Sequence, residues 1–154
     1  MIRYVLAAIL TIALFAIAMP AVDEAARMNT ERQVDAELAA IDRGATSLAA
    51  NEEVTPEDHP DPRRVVEVTL PRNTLTTAGV DHLELVPHER GNHTHARYVL
   101  DDGTTRETVI DERIVWADPT DDEATKIGGT GDQGLALHLL EDENGGAIIV
   151  ARSV

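Results

Sequence analysis

The sequence predicts an α+β protein in which one long N-terminal helix packs on an antiparallel β-sheet head of six or seven short strands. The first third of the chain is apolar and then amphipathic with the period of a helix. The remainder alternates in short apolar runs bounded by glycine, proline, asparagine and aspartate. A chain of 154 residues accommodates one anchor and one compact domain but not two sizeable cores.

The first element is a transmembrane anchor over residues 1–22, predicted from the apolar segment Val5–Val22. At about 1.5 Å per residue it covers roughly 27 Å, close to the ~30 Å of a bilayer's hydrocarbon core. Arg3 precedes the segment, and Asp23 and Glu24 follow it. Because basic residues favour the cytoplasmic side, we expect the N-terminus in the cytoplasm and the rest of the chain outside the cell.

A cleaved signal peptide is the alternative interpretation of the same segment. Ala16-Ile17-Ala18 has the small-x-small pattern of a cleavage site, and the residues before it form an acceptable apolar region. The protein would then be a secreted β-domain that serves as a binding or adhesion module. The apolar run continues past Ala18 into a second helical segment, which favours a retained anchor.

The second element is an amphipathic stalk helix over residues 23–50. One face carries apolar residues at helical spacing: Val34, Leu38, Ile41, Ala45 and Leu48. We expect Val34, Leu38, Ile41 and Leu48 to pack on the apolar face of the sheet, lined by Val66, Leu83, Tyr98 and Leu137. The polar, proline-rich stretch 51–62 predicts a linker between this stalk and an extracytoplasmic β-rich domain over residues 63–154.

The β-rich domain is predicted from alternating apolar residues and two hairpin turns. Asp102-Gly103 is expected to turn the chain into Thr104–Ile110, and Asn144-Gly145 to lead into the last strand, Ala147–Arg152. The other strands are predicted around residues 66–70, 83–85, 96–100, 114–116 and 135–139. After residue 50 no stretch has the pattern of a long helix.

The charge distribution indicates a halophilic source and excludes several functions. The net charge is −15, all 28 acidic residues follow the apolar segment, and Lys126 is the only lysine among 13 basic residues. Acidic, lysine-poor proteins are typical of haloarchaea, where concentrated salt screens the repulsion. So negative a chain repels nucleic acid. The absence of cysteine excludes disulfides, thiolate metal sites and cysteine nucleophiles.

The chain is expected to have an apolar half-helix with Pro20 near its end, an amphipathic second half and a β head. This layout resembles that of type IV pilins and pseudopilins. The whole chain is also similar to a family of small, uncharacterised haloarchaeal proteins with one N-terminal membrane segment. Prepilins carry a basic-small cleavage site and a glutamate just beyond it, whereas here the apolar run follows Met1-Ile2-Arg3-Tyr4 directly. The resemblance therefore implies a non-catalytic accessory component of an archaeal pilus or secretion-type assembly, with membrane lipid and membrane proteins of that assembly as partners.

Few residues predict chemistry. His88, His93 and His95 could ligate a metal and support a metal-dependent enzyme, but they fall in the polar turn P-H-E-R-G-N-H-T-H, and we favour ordinary turn residues. Asn92 begins the one N-x-T sequon and is a glycosylation candidate. The glycine-rich run 128–134 lacks the lysine and the helix of a phosphate loop, and is expected to connect two strands. The acidic run 118–123 lacks calcium-loop spacing. We expect no catalytic residue, metal or cofactor.

Overall fold

The computed structural model describes residues 2–56, 59–88, 91–120, 123–129 and 131–154. Within these ranges, one helix is followed by eight strands. The helix is α1 (Ile2–Asn51), and the strands are β1 (Arg63–Leu70), β2 (Val80–Pro87), β3 (Thr94–Leu100), β4 (Thr105–Ile110), β5 (Ile114–Trp116), β6 (Thr125–Gly128), β7 (Gly131–Glu141) and β8 (Ala147–Ser153). The predicted α+β class, with a long N-terminal helix on a mainly antiparallel head, is confirmed.

Helix α1 is a single element of 50 residues that passes through Pro20. Proline removes only one backbone donor, and the helix continues because apolar and then amphipathic sequence extends on both sides of it. In the apolar half, Thr11 Oγ1 donates to Ala7 O at 2.9 Å, so its hydroxyl is satisfied within the helix. This half is long and apolar enough to cross a membrane, and none of its most apolar stretch is buried by the rest of the chain.

The strands form two four-stranded sheets. The first sheet has the order β1-β7-β8-β5, and the second has the order β4-β3-β2-β6. Every pair is antiparallel except β5 with β8. Strand β6 was not predicted, because its four residues lie between an acidic loop and a glycine-rich run that mask its alternation.

Both predicted hairpins are present. Gly103 has φ +83° between β3 and β4, and Gly145 has φ +79° between β7 and β8. Glycine suits both turns because a side chain at positive φ is sterically disfavoured. The first turn closes with Leu100 N donating to Thr104 O at 2.9 Å.

The amphipathic half of α1 completes the core between the two sheets. Val34, Leu38, Ile41 and Leu48 are buried in one cluster that draws on both sheets. Of the residues expected on a single sheet face, Val66 and Leu137 lie in the first sheet, whereas Leu83 and Tyr98 lie in the second. The expectation of one sheet face was wrong in this respect, because the strands divide into two layers and the helix packs against the core of both.

The helix approaches both edge strands closely. A Cβ at Gly44 would lie 3.1 Å from Val66 Cγ2 on β1, so the missing side chain permits close approach to the first sheet. On the side of the second sheet, Arg106 Nε on β4 donates to Glu31 Oε1 at 2.9 Å at the surface. The helix therefore closes the side of the sandwich on which β1 and β4 are the edges.

Polar contacts attach α1 to the head where its apolar half ends. The buried Thr30 Oγ1 lies 2.7 Å from Ala78 O and 3.1 Å from Ala26 O, so its one proton is shared between two acceptors. Asn29 Nδ2 donates to Thr76 O at 2.9 Å, and Arg27 pairs with Asp102 at 2.7 Å. These contacts define the near end of the head, next to the apolar half-helix.

Candidate functional site

Three histidines converge at the far end of the head. His88 follows β2, His93 precedes β3, and His95 lies on β3. Since Pro87 pairs with Thr94, His88 and His93 come to lie opposite each other, and His88 N donates to His93 O at 3.0 Å. Thr94 and Ala96 are buried, so the alternation of the strand directs His95 to the outer face of the second sheet.

The rings of this histidine cluster, His88, His93 and His95, are close to one another. The His88 and His93 ring centroids are 4.4 Å apart, those of His93 and His95 5.2 Å, and those of His88 and His95 5.9 Å. One ring nitrogen from each histidine lies within 4.8 Å of the other two. The sequence predicted an ordinary polar turn for these histidines, whereas the structure groups their three imidazoles together.

A carboxylate orients one of these rings. Glu107 Oε1 on β4 lies 2.7 Å from His95 Nδ1. An ionised carboxylate only accepts hydrogen bonds, so the neutral form of the His95 imidazole that fits this contact has its proton on Nδ1 and its lone pair on Nε2. The sequence did not point to Glu107, because the two residues are brought together only by the register of β3 with β4.

The backbone beneath the cluster is fixed by buried hydrogen bonds. Thr94 is fully buried, and its hydroxyl donates to Glu112 O and accepts from Ile114 N, both at 2.8 Å. Desolvation raises the pKa of the Glu112 carboxyl, and Asn92 Nδ2 donates to Glu112 Oε2 at 3.4 Å, which opposes that rise. These contacts tie the start of β3 to the segment before β5, next to the histidines.

The sequon residue Asn92 lies exposed in the same turn. Its partner in the motif, Thr94, has its hydroxyl engaged twice in the core, as described above. A transferase that reads this hydroxyl therefore needs the hairpin unfolded or locally opened.

A second polar network adjoins the cluster on the same outer face. Glu84 lies 3.1 Å from Arg97 Nη2, 3.5 Å from His82 Nε2 and 3.6 Å from Lys126 Nζ. A shallow groove of about 250 Å³ separates this network from the histidines and is lined by Val86, His95, Arg97 and Glu107. Glu84 is thus the shared partner of the basic groups around it, and the histidines form a distinct group.

The remaining candidates are dispersed. His59 is exposed in the segment after α1. His138 is on β7, where burial lowers its pKa and its Nδ1 makes no hydrogen bond with a described residue. The glycine-rich run 128–134 was expected to be a connection, but Gly128 ends β6 and residues 131–134 already belong to β7, where they pair with β1. No helix follows the run in the described residues. Glu89, Asp121, Asp122 and Thr130, which were considered with these sites, lie outside the described residues.

The model of one protein family, a domain of unknown function called DUF7311, matches residues 1–154. The chain belongs to the DUF7311 family. No curated protein and no solved structure matches it. The DUF7311 chain thus combines an exposed apolar half-helix, a sandwich closed by the other half, and a histidine cluster at the opposite end of the head.

Proposed function

We propose that this DUF7311 protein is a non-catalytic, single-span membrane protein whose acidic head lies outside the cell, as a pilin-like accessory component of an archaeal pilus or secretion-type assembly. The observation that carries the proposal is the continuity of α1 from Ile2 to Asn51. One half of this helix is apolar and exposed, and the other half supplies part of the core of the head. The position of the head is therefore coupled to that of the apolar half through one continuous helix.

The division of burial along α1 supports this arrangement. Ala26 is the first buried residue, and buried residues recur from there to Leu48. Exposed large apolar side chains occupy the preceding segment, including Leu10, Phe15 and Ile17. Leaving such a surface in water is unfavourable, whereas lipid or the helices of partner proteins accommodate it.

The loop between β1 and β2 provides independent support. Leu75 is 88% exposed at its tip and helps line a groove with Ala18, Met19 and Val22 of α1. An exposed leucine beside the last turns of an apolar helix suits the boundary between water and lipid. This end of the head accordingly faces the membrane, and the histidine cluster lies farthest from it.

Site-directed labelling tests the orientation, because a chain without cysteine allows one introduced thiol to be the only one. Glu143→Cys lies in the exposed β7–β8 turn, and Ile2→Cys lies at the start of α1. A membrane-impermeant maleimide should label Glu143→Cys in intact cells and Ile2→Cys only after permeabilisation. The reverse pattern would refute an extracellular head.

Purification from native membranes tests the assembly. Pilus-motor or membrane-platform proteins should be recovered with the full chain in mild detergent. Ala7 and Ala18 lie on one face of the span, and small residues there permit close helix packing. The variant Ala7→Leu/Ala18→Leu keeps the span apolar and should reduce recovery, whereas Leu10→Ile should not. Recovery of no such protein with the full chain would contradict the pilin-like assignment.

A secreted β-domain with a cleaved signal is the second candidate, and one observation favours it. Every buried residue of the described chain lies at or after Ala26, so cleavage after Ala18 would leave the core intact. Intact-mass measurement separates the two candidates. The full mass supports the anchored protein, whereas loss of residues 1–18 supports the secreted module.

A further inference from the structure

We propose that His88, His93 and His95 form a binding site for a divalent transition-metal ion, best matched by zinc. Neutral imidazole nitrogens are preferred ligands of zinc, and three of them are a common protein ligand set. The proposal rests on the convergence of the three rings, on the carboxylate behind one of them, and on the backbone contact between His88 and His93. It does not depend on the pilin-like function.

The spacing of the ring nitrogens suits a single ion. The three nitrogens lie within 4.8 Å of one another. Around a tetrahedral zinc with bonds of about 2.05 Å, ligand nitrogens are about 3.4 Å apart. Small rotations of the side chains close this difference, since His88 is exposed and His93 and His95 are only partly buried.

Glu107 supplies the second feature of a metal site. A histidine that binds metal through one nitrogen usually donates its other N–H to a carboxylate, which fixes the tautomer and the ring orientation. Glu107 Oε1 makes this contact with His95 Nδ1 at 2.7 Å and so leaves Nε2 for the ion. Glu84, another outward acid on this face, is engaged by Arg97 and Lys126 and does not compete for that proton.

The turn itself is built around the rings. A Cβ at Gly91 would lie 2.6 Å from His93 Nδ1 and 3.2 Å from His88 Nδ1, so a larger residue there would require the imidazoles to move from these positions. The bond from His88 N to His93 O fixes the separation of their backbones.

The site would join the end of β2 to the start of β3. Three ligands leave one tetrahedral position open to water or to a donor from another molecule. Strand β2 spans about 25 Å at about 3.3 Å per residue, and its other end adjoins α1 through the bond from Ala78 N to Ala26 O. The ion therefore lies at the end of the head opposite the apolar half-helix.

Zinc titration of the full chain tests the proposal, in detergent and high salt after treatment with a chelator. Calorimetry should show one zinc per chain and a rise in the unfolding temperature. The His93→Gln/His95→Gln variant should lose binding, and Glu107→Gln should weaken it by about 10- to 100-fold while all three ligands remain. His82→Gln, on the same sheet face, is the matched control and should bind as the wild type does.

Folding of each variant is checked without metal by its unfolding temperature and by Trp116 fluorescence. Absence of stoichiometric binding to the folded wild type would overturn the proposal. Full binding by the folded His93→Gln/His95→Gln variant would also overturn it. Equal loss of zinc binding in His82→Gln and in the double variant would show that the ion does not bind at the histidine cluster, and this result would overturn the proposal as well.

Discussion

The substitution Ile41→Ala tests whether α1 is an integral part of the head. Ile41 is fully buried within the cluster that both sheets share. Replacing a buried isoleucine by alanine costs about 2–5 kcal/mol, because apolar contact is lost and a cavity remains. Alanine's better helix propensity returns about 0.4 kcal/mol. We therefore expect a loss of about 3 kcal/mol in the free energy of unfolding.

The matched control is the same substitution in the other half of the helix. Ile17 is 76% exposed and contributes nothing to the core of the head, so Ile17→Ala should change the free energy of unfolding by less than about 0.5 kcal/mol. Guanidinium unfolding of the full chain in detergent, followed by the fluorescence of Trp116, measures both variants. Trp116 is the only tryptophan and packs against the core, so it reports on the head.

The size of the expected change is accessible to this assay. At a denaturant slope of about 3 kcal/mol/M, the midpoint of Ile41→Ala falls by about 1 M. The unfolding temperature falls by roughly 10 °C. Equal midpoints for Ile41→Ala and Ile17→Ala would show that the stalk does not belong to the folding unit, and the reasoning would fail.

Three further predictions use the same preparation. Thr30→Val keeps the shape of a buried side chain but removes the hydroxyl that donates to Ala78 O, so it should cost about 1–2 kcal/mol. Thr46 is exposed, so Thr46→Val is the control and should cost little. Burial raises the pKa of Tyr98 to about 12, so its contribution to stability is present below pH ~10 and is lost as the pH rises towards 12. Alkaline absorbance titration should show this late ionisation of Tyr98, and Tyr98→Phe should abolish it. Ionisation of Tyr98 near pH 10 in the folded head would contradict its burial. Because the net charge is −15, the unfolding temperature should rise between about 0.1 M and 1 M KCl, where the screening length falls from about 10 Å to 3 Å. An unfolding temperature that stays constant or falls would contradict charge repulsion as the cause.

The hairpin turns and the packing stripe were predictable because they depend on local chemistry. Gly103 and Gly145 adopt the positive φ that their turns require. The spacing of Val34, Leu38 and Ile41 places them on one face of any regular helix, and the structure buries that face. Periodicity is a property of neighbouring residues, so one sequence is sufficient to recognise it.

The division into two sheets and the environment of the histidines were decided by tertiary structure. The segments around Val66 and Tyr98 show the same alternation of apolar and polar residues, yet Val66 lies in the first sheet and Tyr98 in the second. The reason is that strand pairing over long sequence separations is not encoded in either segment alone. Likewise, the closeness of His88, His93 and His95 in the sequence is compatible with an ordinary polar turn and does not reveal their surroundings. Only the pairing of β3 with β4 brings Glu107 behind His95.

The sequence by itself thus determined the helix, its two contrasting halves, the hairpins and the acidic surface, since each follows from composition or from spacing within about ten residues. Tertiary structure decided how the strands divide between layers, that the helix closes both, and that three imidazoles and a carboxylate share one site. The physical reason is that cross-strand register depends on the free energy of the whole packed core, which no short segment specifies.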